Sequence, residues 1–139
     1  MYSFLESSTK FIYDTLKADA VFMALIPGGL YDGAVPDHLE AIPPYVILGE
    51  KLEVPDNALD RIGRRCELTI HIWTRYRGSL QGLAIASRII ALLDQGQMTM
   101  ASPLGWGLAQ LRLDMNEELI EDIDLRHRIL RFIVRGRKV

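Results

Sequence analysis

The chain has 139 residues, a length that suits one domain and leaves too little polypeptide for two ordinary cores. With 49% of its residues apolar and 24% charged it has the balance of a folded protein, which excludes a disordered chain. The formal net charge of −2 supplies no global positive field, so generic nucleic-acid binding is disfavoured.

The N-terminus, Met1-Tyr2-Ser3-Phe4-Leu5-Glu6, lacks the basic start and long apolar stretch of a secretion signal, and no run approaches the length of a membrane span. From Ser3 to about Lys17, Leu5, Ser8, Ile12 and Leu16 recur at helical spacing, and Ser3 with Glu6 forms a capping box. A short second helical turn follows from Asp19, stopped by Pro27-Gly28-Gly29. Leu30-Tyr31-Asp32 reads as a brief extended segment. Residues 33–44 hold three prolines and no periodicity, the mark of a surface loop.

Pro44-Tyr45-Val46-Ile47-Leu48-Gly49 is a short apolar, β-rich run bounded by breakers and reads as a buried strand. Residues 50–63 are polar and carry Pro55-Asp56-Asn57, so they read as a long connection, a kind of segment that is often functional. Residues 65–75 make the clearest strand, with Leu68, Ile70 and Ile72 on one face and Thr69, His71 and Trp73 on the other. The large aromatic on the second face implies that this side is covered as well. The lone Cys66 cannot form an intrachain disulfide, and its place in this strand predicts an inert thiol in a reducing site of folding.

After a turn at residues 76–78, Ser79 is placed to cap a helix to about Asp94, with Leu83, Ala86, Ile89, Ile90 and Leu93 as its apolar stripe. A short strand is expected near residues 98–100. Residues 108–115 then alternate, Ala109, Leu111, Leu113 and Met115 against Gln110, Arg112 and Asp114. A last β-rich segment, residues 124–135, sets Leu130, Phe132 and Val134 against Arg131 and Arg135. The expected fold class is α+β, a mainly antiparallel sheet of about four strands with two helices packed on one face, in a single domain spanning residues 1–139.

A search for chemistry finds little. His38, His71 and His127 fall in no nucleophile motif, no metal-ligand spacing occurs, and Gly105-Trp106-Gly107 lacks the lysine and the strand-to-helix context of a phosphate loop. The densest charge is the acidic stretch containing Asp114, Glu117, Glu118, Glu121, Asp122 and Asp124, followed at once by Arg126, Arg128, Arg131, Arg135, Arg137 and Lys138. The acids have two readings, a solvated hairpin tip that protects a sheet edge or a docking surface for a basic neighbour. An acidic patch beside a basic one suits head-to-tail association, and local pairing across the hairpin explains the same residues.

The ordered elements resemble the tail-completion or tail-terminator proteins of long-tailed phages, prophages and gene transfer agents. The resemblance runs nearly end to end and rests on the order and spacing of several pieces. They are Leu16-Lys17-Ala18-Asp19-Ala20, Leu30-Tyr31-Asp32, Pro44-Tyr45-Val46 with Leu48-Gly49, Glu67-Leu68-Thr69-Ile70-His71-Ile72-Trp73-Thr74, Arg77-Gly78, Ala84-Ile85-Ala86 with Ile90-Ala91-Leu92-Leu93, and Arg128-Ile129-Leu130-Arg131-Phe132. The resemblance implies a non-enzymatic virion protein without cofactor or metal, folded in the host cytoplasm and carried at the head-proximal end of the tail. It implies a homo-oligomeric ring, usually a hexamer, that caps the tail tube and joins it to a head-completion protein, with DNA passing through unbound and no membrane involved. Candidate contacts with a neighbour or partner are Glu117, Glu118, Glu121, Asp122, Arg126, Arg128 and Arg131, with Leu52, Asp56 and Arg61 from the long connection. Three alternatives stand beside it, a head-completion or neck connector of the same particle, a small enzyme using His71 or His127 with an acid from the 114–124 stretch, and a host-derived interaction module unrelated to phage.

Overall fold

The computed structural model describes residues 3–36, 42–76, 78–95, 97–99, 106–121 and 124–138. Three helices, α1 (Phe4–Ala18), α2 (Ala20–Leu25) and α3 (Leu80–Leu93), pack on one side of a sheet. The strands are β1 (Leu30–Asp32), β2 (Tyr45–Pro55), β3 (Gly63–Arg75), β4 (Gln97–Thr99), β5 (Trp106–Ile120) and β6 (Leu125–Lys138), in the order β1-β2-β3-β6-β5-β4. Among the described strands only β1 with β2 is parallel. The mainly antiparallel α+β architecture is the one the sequence predicts, with four long strands and a three-residue strand added at each edge.

The helix caps follow local chemistry. The Ser3 hydroxyl accepts the Glu6 amide at the start of α1, 3.0 Å away, and the Glu53 carboxylate of β2 accepts the Leu5 amide at 2.9 Å. Asp19 ends α1 and caps α2 by accepting the Phe22 amide, while both its oxygens hold the Arg88 guanidinium of α3 at 2.7–2.8 Å. That bidentate bond locks α2 to α3 and holds the Asp19 carboxyl below its usual range. Ser79 occupies the cap position of α3 without a side-chain bond, so its expected capping role is not realised.

The core is one cluster drawn from both layers, including Phe4, Ile12, Leu16 and Phe22 from the helices and Ile70, Ile72, Leu130, Phe132 and Val134 from the sheet. Gly136 on β6 leaves room for the Phe4 ring, which a Cβ there would overlap. In α3 the buried stripe is Gly82, Ile85, Ala86, Ile89 and Leu93. Leu83, assigned to that stripe from its spacing, is exposed, because the helix is rotated so that Ile85 takes the core position.

Of three register shifts among the described strands, two displace the alternation that the sequence suggests. Between Leu48 and Lys51 β2 carries one residue more than β3, and between Leu113 and Met115 the β5 register also shifts. The expected long connection at residues 50–63 therefore shrinks to residues 56–62, since β2 continues through Pro55. Beyond the first bulge Lys51 and Glu53 pair with the inward Leu68 and Cys66, while Leu52 and Val54 pair with the outward Glu67 and Arg65. Met115, expected to share a face with Leu113, instead lies opposite Arg131.

Candidate functional site

The second face of the sheet, expected to be covered, has none of the described elements packed on it. Thr69, His71 and Trp73 of β3 are half-buried there by their own neighbours. Register places Trp73 opposite His127 and His71 opposite Ile129. The Trp73 and His127 rings stack with centroids 3.9 Å apart and planes 9° apart.

His71 lies over Gly49 at the β2 bulge, where a Cβ would overlap its ring, and the same bulge presents Glu50 to it. The result is a chain of short contacts. Glu50 Oε2 lies 2.7 Å from His71 Nε2, His71 Nδ1 lies 2.6 Å from His127 Nε2, and His127 Nδ1 lies 3.1 Å from Glu121 Oε1. The hydrogen bond from His71 is the main cause that holds the Glu50 carboxyl below its usual range. Burial is the main cause that lowers His127, opposed by its bond to Glu121.

His71, His127 and an acid of the 114–124 stretch thus do converge, in one row of short contacts. Among the described residues no Ser, Thr or Cys side chain bonds to either ring, and a cavity of about 760 Å³ lined by Leu5, Tyr13, Leu30, Tyr31 and Lys51 opens on the opposite, helical side of the sheet. Cys66 is buried on the core side, its thiol pushed up to about 12 by burial and by Glu53. Among the described residues no group of three or more His, Cys, Asp and Glu is arranged to hold a metal ion, and no helix is long and apolar enough to cross a membrane.

The charged candidates divide into groups. Glu117 and Glu118 sit along β5 rather than at a hairpin tip, because the strand runs to Ile120. From Leu111 onward no described strand pairs with the outer side of β5, so these acids flank an open edge, as edge protection requires. Glu121 is joined to His127, and Asp122 lies outside the described residues. Arg128 turns inward and is only 7% exposed, bonded to Asn116 at 2.7 Å and 3.6 Å from Glu118. Arg126 shares that inward parity, and Arg131 faces outward in a bond to Asp114 at 2.8 Å. Arg128 and Arg131 are therefore paired within the chain.

Leu52 is half-exposed on the open face. Asp56 and Arg61 belong to the loop between β2 and β3. Asp56 pairs with Arg137 at 3.2 Å, and the Arg61 carbonyl accepts the Ala58 amide at 2.9 Å. These bonds hold up a tip on which Leu59 is fully exposed. Leu59 escaped the sequence reading; a leucine between prolyl and aspartyl turn residues was the available signal.

The described residues thus present an open charged face, a projecting apolar tip and a hydrogen-bonded row of two histidines and two carboxylates. The chain belongs to the tail completion protein gp17 family, whose model matches residues 10–136. It is a phage-like structural tail protein. Its fold is similar to that of a chain in the virion of a native gene transfer agent particle, with a TM-score of 0.76, 24% identity and 91% of each chain covered. Among curated protein sequences none matches.

Proposed function

We propose that this protein is a ring-forming tail terminator, a single-domain protomer that caps the tail tube and joins it to the head within a virion, without catalysing a reaction. Family membership carries the reading. The fold's likeness to a chain of a gene transfer agent virion supports a place in the particle. The fully exposed Leu59 on a braced loop and the exposed Glu117 on an open strand edge are surfaces that a neighbouring subunit or the tube would cover. In this reading Leu52, Asp56, Arg61, Glu117, Glu118 and Glu121 lie at contacts, and DNA passes the ring without specific binding.

Removing the gene from its particle and imaging the products tests the role. A terminator's loss gives tails of uncontrolled length that fail to join heads. Tails of normal length beside heads that have lost their DNA would instead assign the protein to the head-completion or neck connector. Light scattering on the purified protein, alone and with the tube protein, reads the subunit number.

A further inference from the structure

Four side chains at one end of the open face lie close together by register. Arg65 of β3 is directly opposite Arg135 of β6, Arg135 is opposite Gln110 of β5, and Arg112 is the next outward residue along β5, opposite Ile133. Like charges directly across a strand pair destabilise a sheet unless something lies between them. Arg65 has Glu67 at 3.5 Å and Arg131 has Asp114 at 2.8 Å. Arg112 and Arg135 are exposed and have no ion pair or hydrogen bond among the described residues. Between them is a depression of about 190 Å³ lined by Gln110, Leu113, Asp114 and Ile133, and its one carboxylate is already engaged by Arg131.

Two guanidinium groups and an amide around a small, mostly polar recess match a planar or tetrahedral oxyanion. The acids that would fit lie at the other end of the same face. Glu117 is opposite Ile129, which is opposite His71, six β3 positions from Arg65 or roughly 20 Å along the strand. Within one chain the two ends cannot meet. Glu117 is exposed and without an ion pair among the described residues, and the chain's net charge of −2 favours a protein carboxylate over nucleic acid as the occupant.

We propose that Arg112, Arg135 and Gln110 form an oxyanion site filled by carboxylates of a second copy, led by Glu117. The site rests on the self-assembly reading above and gives that contact its chemistry.

Charge reversal with the mass read by light scattering at low salt tests it. The wild type is expected to assemble, and R112E/R135E and E117R each to weaken assembly by at least about tenfold. The triple variant R112E/R135E/E117R is expected to recover it. Circular dichroism checks folding, and R112Q/R135Q serves if the reversed chain does not fold. An R112E/R135E protein that assembles like the wild type overturns the site and leaves the ring reading intact. So does a variant that keeps its assembly while losing binding to a labelled DNA duplex, since nucleic acid would then be the occupant. A wild type that stays monomeric, even with the tube protein, overturns the ring reading and with it the second-copy occupant.

Discussion

His71 Nδ1 and His127 Nε2 stand 2.6 Å apart, and the outer nitrogen of each ring is bonded to a carboxylate, Glu50 on one side and Glu121 on the other. A proton on every ring nitrogen would turn two N–H groups toward each other. Burial lowers the His127 pKa, so the folded chain holds fewer protons there than the unfolded one. His127 therefore adds stability above its unfolded value near 6.5, and that contribution is lost as the pH falls through the folded pKa. Urea unfolding between about pH 7 and pH 5 should show stability falling with acid, by up to about 1.4 kcal/mol per pH unit for one proton. In a His127→Phe variant, which keeps a ring on Trp73, this dependence should flatten. Ring-nitrogen NMR would count the protons directly, and an unchanged slope in the variant would contradict the account.

The thiol of Cys66 is expected to be inert while the protein is folded. Burial, aided by the Glu53 carboxylate, lifts its pKa to about 12. At mildly alkaline pH its alkylation by iodoacetamide should be at least about a hundredfold slower than that of a free thiol, because only the thiolate reacts. Denaturant should restore the ordinary rate. Rapid labelling of the native protein would show that β3 opens.

Gly136 should tolerate no branched side chain. Its Cβ position is occupied by the Phe4 ring, which fastens the first turn of α1 to β6. Gly136→Val is expected to cost about 1–3 kcal/mol in urea unfolding, as overpacking does elsewhere. Pairing it with Phe4→Ala should recover part of the room and little of the stability, since the ring's own burial is lost.

The Asp19–Arg88 bond should appear in the acid limb of the stability curve. Arg88, through its hydrogen bonds, is the first cause that lowers the Asp19 pKa. A depressed carboxyl contributes stability above its unfolded value near 3.8, lost as the pH falls through the folded one. Arg88→Lys, which cannot form the two-pronged bond, should lower the melting temperature at neutral pH. The difference from the wild type should close as acid protonates Asp19. A difference that persists in strong acid would assign the loss to packing.

Much of the architecture was legible because most elements follow their local periodicity. Leu68, Ile70 and Ile72 lie inward as their alternation requires, and Leu130, Phe132 and Val134 do the same on β6. The breaks came where a bulge adds a residue without a composition signal, at Gly49-Glu50 and near Asp114, so Leu52, Glu53 and Met115 were assigned to the wrong side or to no strand. Strand order was also hidden. β6 pairs with both β3 and β5, and that placement joined His71 to His127 and Arg65 to Arg135 across dozens of residues. Charge runs misled for a related reason, since neighbours in sequence such as Arg128 and Arg131 face opposite sides of the sheet.

The bulge at Gly49-Glu50 makes β2 a strand with two reading frames. Ahead of it Val46 and Leu48 are the core residues; behind it the same inward role falls to Lys51 and Glu53, one reaching Asp32 and the other the first turn of α1. A deletion of Gly49 would leave both frames joined in an ordinary ladder and keep every residue from Lys51 onward on its present side. What it would remove is the gap beneath His71, because the remaining Glu50 brings a Cβ to the place where only hydrogen now fits. In a lineage that lost that single codon, the helical layer would survive intact and the histidine row would be the part that had to be rebuilt.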